Sequence, residues 1–268
     1  MISEMLSYDF IQRAFLGGVL VSLCAALLGV SLVLKRYSMI GDGLSHVSFG
    51  ALSIAIACGI APLKFAIPVV IVAAFLLLRL AENGKMRSDA AIAMVSASSL
   101  AIGVIVTSLT TGLSTDIYSY MFGSILAMSK DDVVVSGLLS VIVIIMFVVC
   151  YHKIFAVTFD ENFSKATGVK VGMYNTLISV FTAITIVVGI KMMGAMLISS
   201  LIIFPALISM RNFKTFKSVI ICSAIVSVAC FLLGIILSYL YSIPTGASIV
   251  LVNTVALILS YLIGELRH

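Results

Sequence analysis

Long apolar runs separated by short polar breaks make up almost the whole chain. Runs near 12–34, 43–60, 63–81, 90–110, 132–151, 172–190, 193–210, 218–240 and 246–264 predict nine helices. Most are close to the roughly 20 residues that a helix needs to cross a hydrocarbon core. Uncertainty at the run edges makes the predicted count eight to ten. Between the fourth and fifth runs lies 114–129, STDIYSYMFGSILAMS, too short and too mixed to span. It reads as a short helix at the membrane surface, with Thr115 or Asp116 placed to cap its first free N–H groups. Nothing in the pattern marks a repeat or linker, so residues 1–268 read as a single transmembrane domain.

Composition removes the alternatives. Of 268 residues, 62% are apolar and 10% charged, with a mean hydropathy of +1.27. A soluble domain carries about 25% charged residues, and this chain has too few to cover its surface. A disordered chain, a nucleic-acid-binding domain and a disulfide scaffold are excluded on the same ground. The net charge of +5 therefore speaks to membrane orientation through its placement. With the 35–41 loop in the cytoplasm, 12 of the 16 Lys and Arg residues lie inside. Arg13, Lys64, Lys130 and Lys191 remain outside. The positive-inside bias then puts the N-terminus out and the C-terminus in. The five cysteines are scattered through apolar runs without a CxxC pair and read as small core hydrophobes. Residues 1–9 lack the basic stretch of a cleavable signal peptide.

Ionisable groups inside the runs carry the chemistry. Of eleven acidic residues only Asp42, and of three histidines only His46, fall at depth within a predicted span. In Gly41-Asp42-Gly43-Leu44-Ser45-His46 they stand at i and i+4 on one helix face. If the backbone is helical from Lys35–Arg36 onward, His46 lies about 15 Å deeper, near mid-bilayer. A charge there costs about 2.5–3.5 kcal/mol, which calls for a compensating use. Carboxylate plus imidazole can ligate Zn²⁺ or Mn²⁺; a hydrogen-bonded structural or proton-linked pair is the alternative. Gly50, one turn on, would leave room for passage. Met196 and the helix-bending Pro205 are further gate or pore candidates, although gap-filling packing also suits Met196. Lys191 reads as a snorkelling cation.

The connection 152–172 holds Thr158-Phe159-Asp160-Glu161-Asn162-Phe163-Ser164-Lys165-Ala166-Thr167-Gly168. Acids at its start and Gly at its end predict one short amphipathic helix. Phe159, Phe163 and Ala166 on one face suit either a protein partner or the membrane surface. No GxxxxGK[ST] occurs, so the chain holds no ATP cradle of its own. Serine-elbow and HExxH motifs are missing too, and transport is the function that remains.

Four stretches, in order, carry a resemblance. KRYSMIGDGLSHVSFGAL (35–52), YMFGSILAMSKDD (120–132), VTFDENFSKATGV (157–169) and VGIKMMGAMLISSLIIFPALIS (188–209) resemble segments of the ABC-type zinc/manganese/iron import permeases. The hydrophobic layout matches over essentially the whole chain. The resemblance implies an all-α fold like that of vitamin B12 and iron-siderophore importers, in a bacterial plasma membrane. It implies a homodimer driven by two separate ATP-binding subunits and supplied by an extracytoplasmic metal-binding protein. Asp42 and His46 fall on the family's Asp and His and become pathway ligands for transported Zn²⁺ or Mn²⁺, with no permanent cofactor. Phe159, Asp160, Glu161, Phe163, Ala166 and Gly168 become the ATPase-coupling segment. Gly43, where the family more often has Ala, is expected to add flexibility, and Ser48-Phe49 replaces smaller or proline-containing sequence. The rival reading is a stand-alone secondary transporter powered by an ion gradient.

Overall fold

The computed structural model describes residues 9–82, 88–110 and 130–266. Among them the chain is helical throughout, without strands. Nine long helices match the nine apolar runs, each end within three residues of expectation. They are α1 (Asp9–Leu34), α2 (Ile40–Ala57), α3 (Pro62–Glu82), α4 (Ser88–Leu109), α5 (Lys130–Val149), α8 (Val171–Met193), α9 (Ala195–Asn212), α10 (Phe216–Tyr241) and α11 (Thr245–Leu266). Two short helices, α6 (Tyr151–Phe159) and α7 (Glu161–Ala166), lie between α5 and α8. The expected surface helix 114–129 and the side chain of Lys191 lie outside the described residues.

Seven of the long helices are apolar and long enough to cross a membrane by themselves. Helices α5 and α6 pass the same test only taken together, as a pair bent by 71°, and the apolar stretch of α3, Pro62–Leu77, is shorter. At one end of the bundle Lys35, which follows α1, places its Nζ 2.7 Å from Oε1 of Glu161 on α7.

The centre of the bundle is α1, α8 and α9, whose Ala25, Leu28, Ile186, Ile190, Leu197 and Leu201 are almost fully buried. Without a strong hydrophobic drive between helices in lipid, close backbone approach and interhelical hydrogen bonds carry more of the packing. A side chain at Gly29 would strike the Ile202 carbonyl, so α1 and α9 touch backbone to backbone. The Ser227 hydroxyl donates to the Ser22 carbonyl at 3.0 Å, tying α10 to α1. On the outside, α4, α5 and α11 expose Ile102, Ile105, Leu138, Ile145, Leu251 and Val255, an apolar surface that suits lipid.

Candidate metal pathway and coupling segment

Asp42 stands in the first turn of α2 and His46 one turn further on. The backbone from Lys35 to Met39 is not helical but reverses direction, with Arg36 in the left-handed region at φ 61°. His46 is therefore only about 9 Å along α2, six residues at the helical rise, and the expected 15 Å from the basic pair does not hold. The helix is gripped on nearly every side. From Ile40 to Ser53 every residue is buried except Asp42 and His46. Their side chains are 46% and 25% exposed, and His46 Nε2 lies 3.7 Å from Asp42 Oδ2. That is beyond hydrogen-bond range, and it leaves the Asp42 carboxylate oxygens and the acceptor nitrogen of a neutral His46 open to another ligand. Among the described residues no third His, Cys, Asp or Glu joins them, so these residues offer two such donors.

The expected opening at Gly50 is filled. A Cβ there would meet the Ser99 carbonyl at 2.7 Å, and Gly103 of α4 lies against Phe49 and Gly50 in return. Gly50 thus lets α2 and α4 approach, and is a packing residue. Gly43 is explained the same way, because a Cβ would come within 2.6 Å of Ile92 Cγ2; contact, and not flexibility, accounts for it. Pro205 is buried within α9, where its carbonyl accepts from the Ser209 hydroxyl at 2.7 Å. Met196 is 60% exposed at the start of α9, while its neighbour Met193 is buried against α1 beside Gly18. Neither Met196 nor Pro205 adjoins the Asp42–His46 pair in sequence or on the same helix.

The coupling segment departs from expectation in its shape. Phe159 ends α6, and the extended backbone of Asp160 (φ −146°, ψ 101°) separates it from α7. Two helices thus replace the single predicted one, and Phe159 does not share a helix face with Phe163 and Ala166. Asp160 caps α7 by accepting from the Phe163 N–H at 2.9 Å. At the other end Gly168, at φ 82°, closes the helix as Val169 N–H donates to the Ser164 carbonyl at 2.9 Å. Ser164 faces inward, fully buried, and Phe163 points outward at 63% exposure. Phe159 is also exposed, its ring 4.9 Å from that of Phe155 and 5.7 Å from that of Phe216 at the start of α10. An aromatic rim of Phe155, Phe159 and Phe163 therefore projects from this end of the bundle.

Glu161 does not belong to that rim in the way the sequence suggested. Its Oε1 accepts from Lys35 Nζ at 2.7 Å and from Asn175 Nδ2 at 3.1 Å, and Lys35 Nζ also donates to Asn175 Oδ1 at 2.5 Å. Burial pushes the Glu161 carboxyl up, but the hydrogen bonds from Lys35 and Asn175 and the charges of Lys35 and Lys165 outweigh it. The net result lies below the ordinary carboxylate value. This three-residue contact was missed by sequence reasoning. Lys35 reads locally as a headgroup anchor and Glu161 as a helix-start acid, and their separation of 126 positions carries no pattern.

A family model described as the ABC 3 transport family matches residues 7–264. The chain belongs to that family. It is a multi-pass membrane permease of this class. A "Probable metal transport system membrane protein" of Treponema pallidum is 33% identical over 95% of this chain and 96% of its own length. The high-affinity zinc uptake membrane protein ZnuB of Haemophilus influenzae is 26% identical over 94% and 97%. The manganese import permease ScaB of Streptococcus gordonii is 26% identical over 96% and 92%. Among solved structures, PsaBC from Streptococcus pneumoniae in complex with Fab superposes with a TM-score of 0.87 at 26% identity. It covers 97% of this chain and 95% of that one. The nearly complete mutual coverage makes the ABC 3 permease architecture a property of the whole chain, α6 and α7 included.

Proposed function

We propose that this permease is the membrane subunit of an ATP-driven importer that moves a divalent transition metal into the cytoplasm, zinc foremost and manganese next. The observation that carries the reading is the bare pair on α2. Two metal-competent side chains are the only uncovered residues in a fourteen-residue buried stretch, and two donors are too few for a closed site. A second copy of the chain, apposed at this face, would supply the other two. Two Asp and two His give a mixed oxygen and nitrogen set that suits zinc and also accepts manganese. The metal is cargo and not a resident cofactor. Incomplete coordination in each half favours passage, since a transit site must release what it binds.

Delivery and drive fall to other chains. An extracytoplasmic metal-binding protein would dock on the outer face, including residues 114–129. Two cytoplasmic ATP-binding subunits would seat against the aromatic rim of Phe159 and Phe163 and against α7. Their closure would then push this end of the bundle and turn access inward. The N-terminus lies outside and the C-terminus inside in this arrangement, in a bacterial plasma membrane. The lysines of the 153–170 stretch support that orientation, because they gather at the same end as Lys35.

Cellular metal content under zinc- or manganese-limited growth tests the reading. Cells lacking the gene should show a zinc deficit that the intact chain repairs and the Asp42→Asn form does not. A manganese deficit with the same pattern would change the cargo and keep the site. No deficit in either metal would return the protein to the class of gradient-driven transporters.

A further inference from the structure

We propose that Lys35, Glu161 and Asn175 are positioning residues, a polar strut through which displacement of α7 reaches the start of α2 and the Asp42–His46 pair. The proposal rests on the import reading above and adds the route between its two ends. With six residues, α7 is far too short to hold itself as a helix. Its place is set by what it touches, and among the described residues its ionic tie inward is Glu161 to Lys35. The Lys35 side chain is only 6% exposed and Asn175 is 4% exposed. A buried ammonium is tolerated when it is paired and hydrogen-bonded, and removing one partner leaves the other charge uncompensated. The three groups therefore move together or come apart at a cost.

What Lys35 is attached to gives the strut its direction. Its N–H closes the last turn of α1 on the Ser31 carbonyl at 3.1 Å, and the reversal at Arg36 follows at once. The Tyr37 N–H returns to the Leu32 carbonyl at 2.8 Å, so the turn is itself fastened to α1. Ile40 then starts α2, with Asp42 in its first turn. Asn175 sits in the first turns of α8, which packs against α1 and α2. A push on α7 is thus delivered at one point to α1, to the turn before Asp42 and to α8.

The test uses the permease assembled with its ATP-binding subunits in proteoliposomes, with the loaded extracytoplasmic protein added and zinc as the transported probe. Co-purification, basal ATP hydrolysis and zinc moved per ATP are read for Lys35→Met, Glu161→Gln and the exchange Lys35→Glu/Glu161→Lys. Lys35→Met should retain the ATP-binding subunits and basal hydrolysis, and both single variants should lower zinc moved per ATP about tenfold, an ordinary size for coupling between sites. The exchange should restore most of the loss, because a turned Asn175 amide can donate to the new carboxylate and accept from the new ammonium. Unchanged zinc per ATP in the single variants overturns the strut. So does an exchange that restores nothing, since that is the signature of a merely structural contact. If Lys35→Met does not assemble, Glu161→Gln, which keeps shape and removes charge, decides alone. Asp42→Asn run beside them separates the two claims. Normal zinc uptake in that form sinks the import site, while stimulation of ATP hydrolysis by the loaded binding protein still reads the strut.

Discussion

Helix α2 and the α6–α7 segment are held in place by opposite means. Around Asp42 and His46 the helix is fixed by apolar contact and by glycines that let backbones meet, and its two ionisable side chains are left partly exposed. In α7 the outward residues are mixed, with Phe163 exposed beside Asn162 and Lys165, while the inward hold is polar, through Glu161, Lys35 and Asn175. A site that must bind and release cargo needs rigid walls and free donors. A lever that must move as a unit needs a short element with a strong tie at one point. The proposed roles fit this contrast: a Lys35–Glu161 pair bridged by Asn175 holds α7, and the donors on α2 stay partly exposed.

The contrast can be broken most severely at Gly50. Gly50→Leu forces a side chain against the Ser99 backbone, and overpacking of this kind costs about 3 kcal/mol. Thermal unfolding of the purified permease should fall markedly, and an unchanged midpoint would show that α2 and α4 can part cheaply. A smaller effect should follow Phe163→Asp. The residue is exposed, so the fold should stand while binding of the ATP-binding subunits weakens by about 2 kcal/mol, the size of an interface anchor. Co-purification at normal yield would remove Phe163 from the docking rim. The mildest change is Asp160→Ala, which removes the cap on the Phe163 N–H. A lost N-cap costs about 1 kcal/mol, which predicts a several-fold weaker association in the same assay with no change in thermal unfolding of the bundle.

Most of the fold was legible because lipid imposes a simple rule. Every span must be a long apolar run, and the breaks at Lys35–Met39, Gly194 and Asn212–Thr215 announce themselves by polarity or by glycine. The Asp42–His46 pair was legible for the same reason, since ionisable residues stand out in a run such as 43–60. What could not be read was which faces are covered. Gly50 looks like space in a sequence and turns out to be contact, because only the position of α4 decides between the two. The α7 lever was half legible. Its cap and its closing glycine are local signals, whereas the tie to Lys35 depends on parts of the chain separated by five described helices, α2 to α6.

The central claim is that the bare pair on α2 is a ligand for cargo. ATP-driven zinc uptake by the reconstituted complex, wild type against Asp42→Asn, tests it most directly. Changes beside a metal site cost about tenfold to a hundredfold in affinity or activity even when the ligands remain. Loss of a ligand should therefore lower uptake at least that far, with the ATP-binding subunits still bound and hydrolysing. Uptake at the wild-type rate from an intact Asp42→Asn complex would contradict the account.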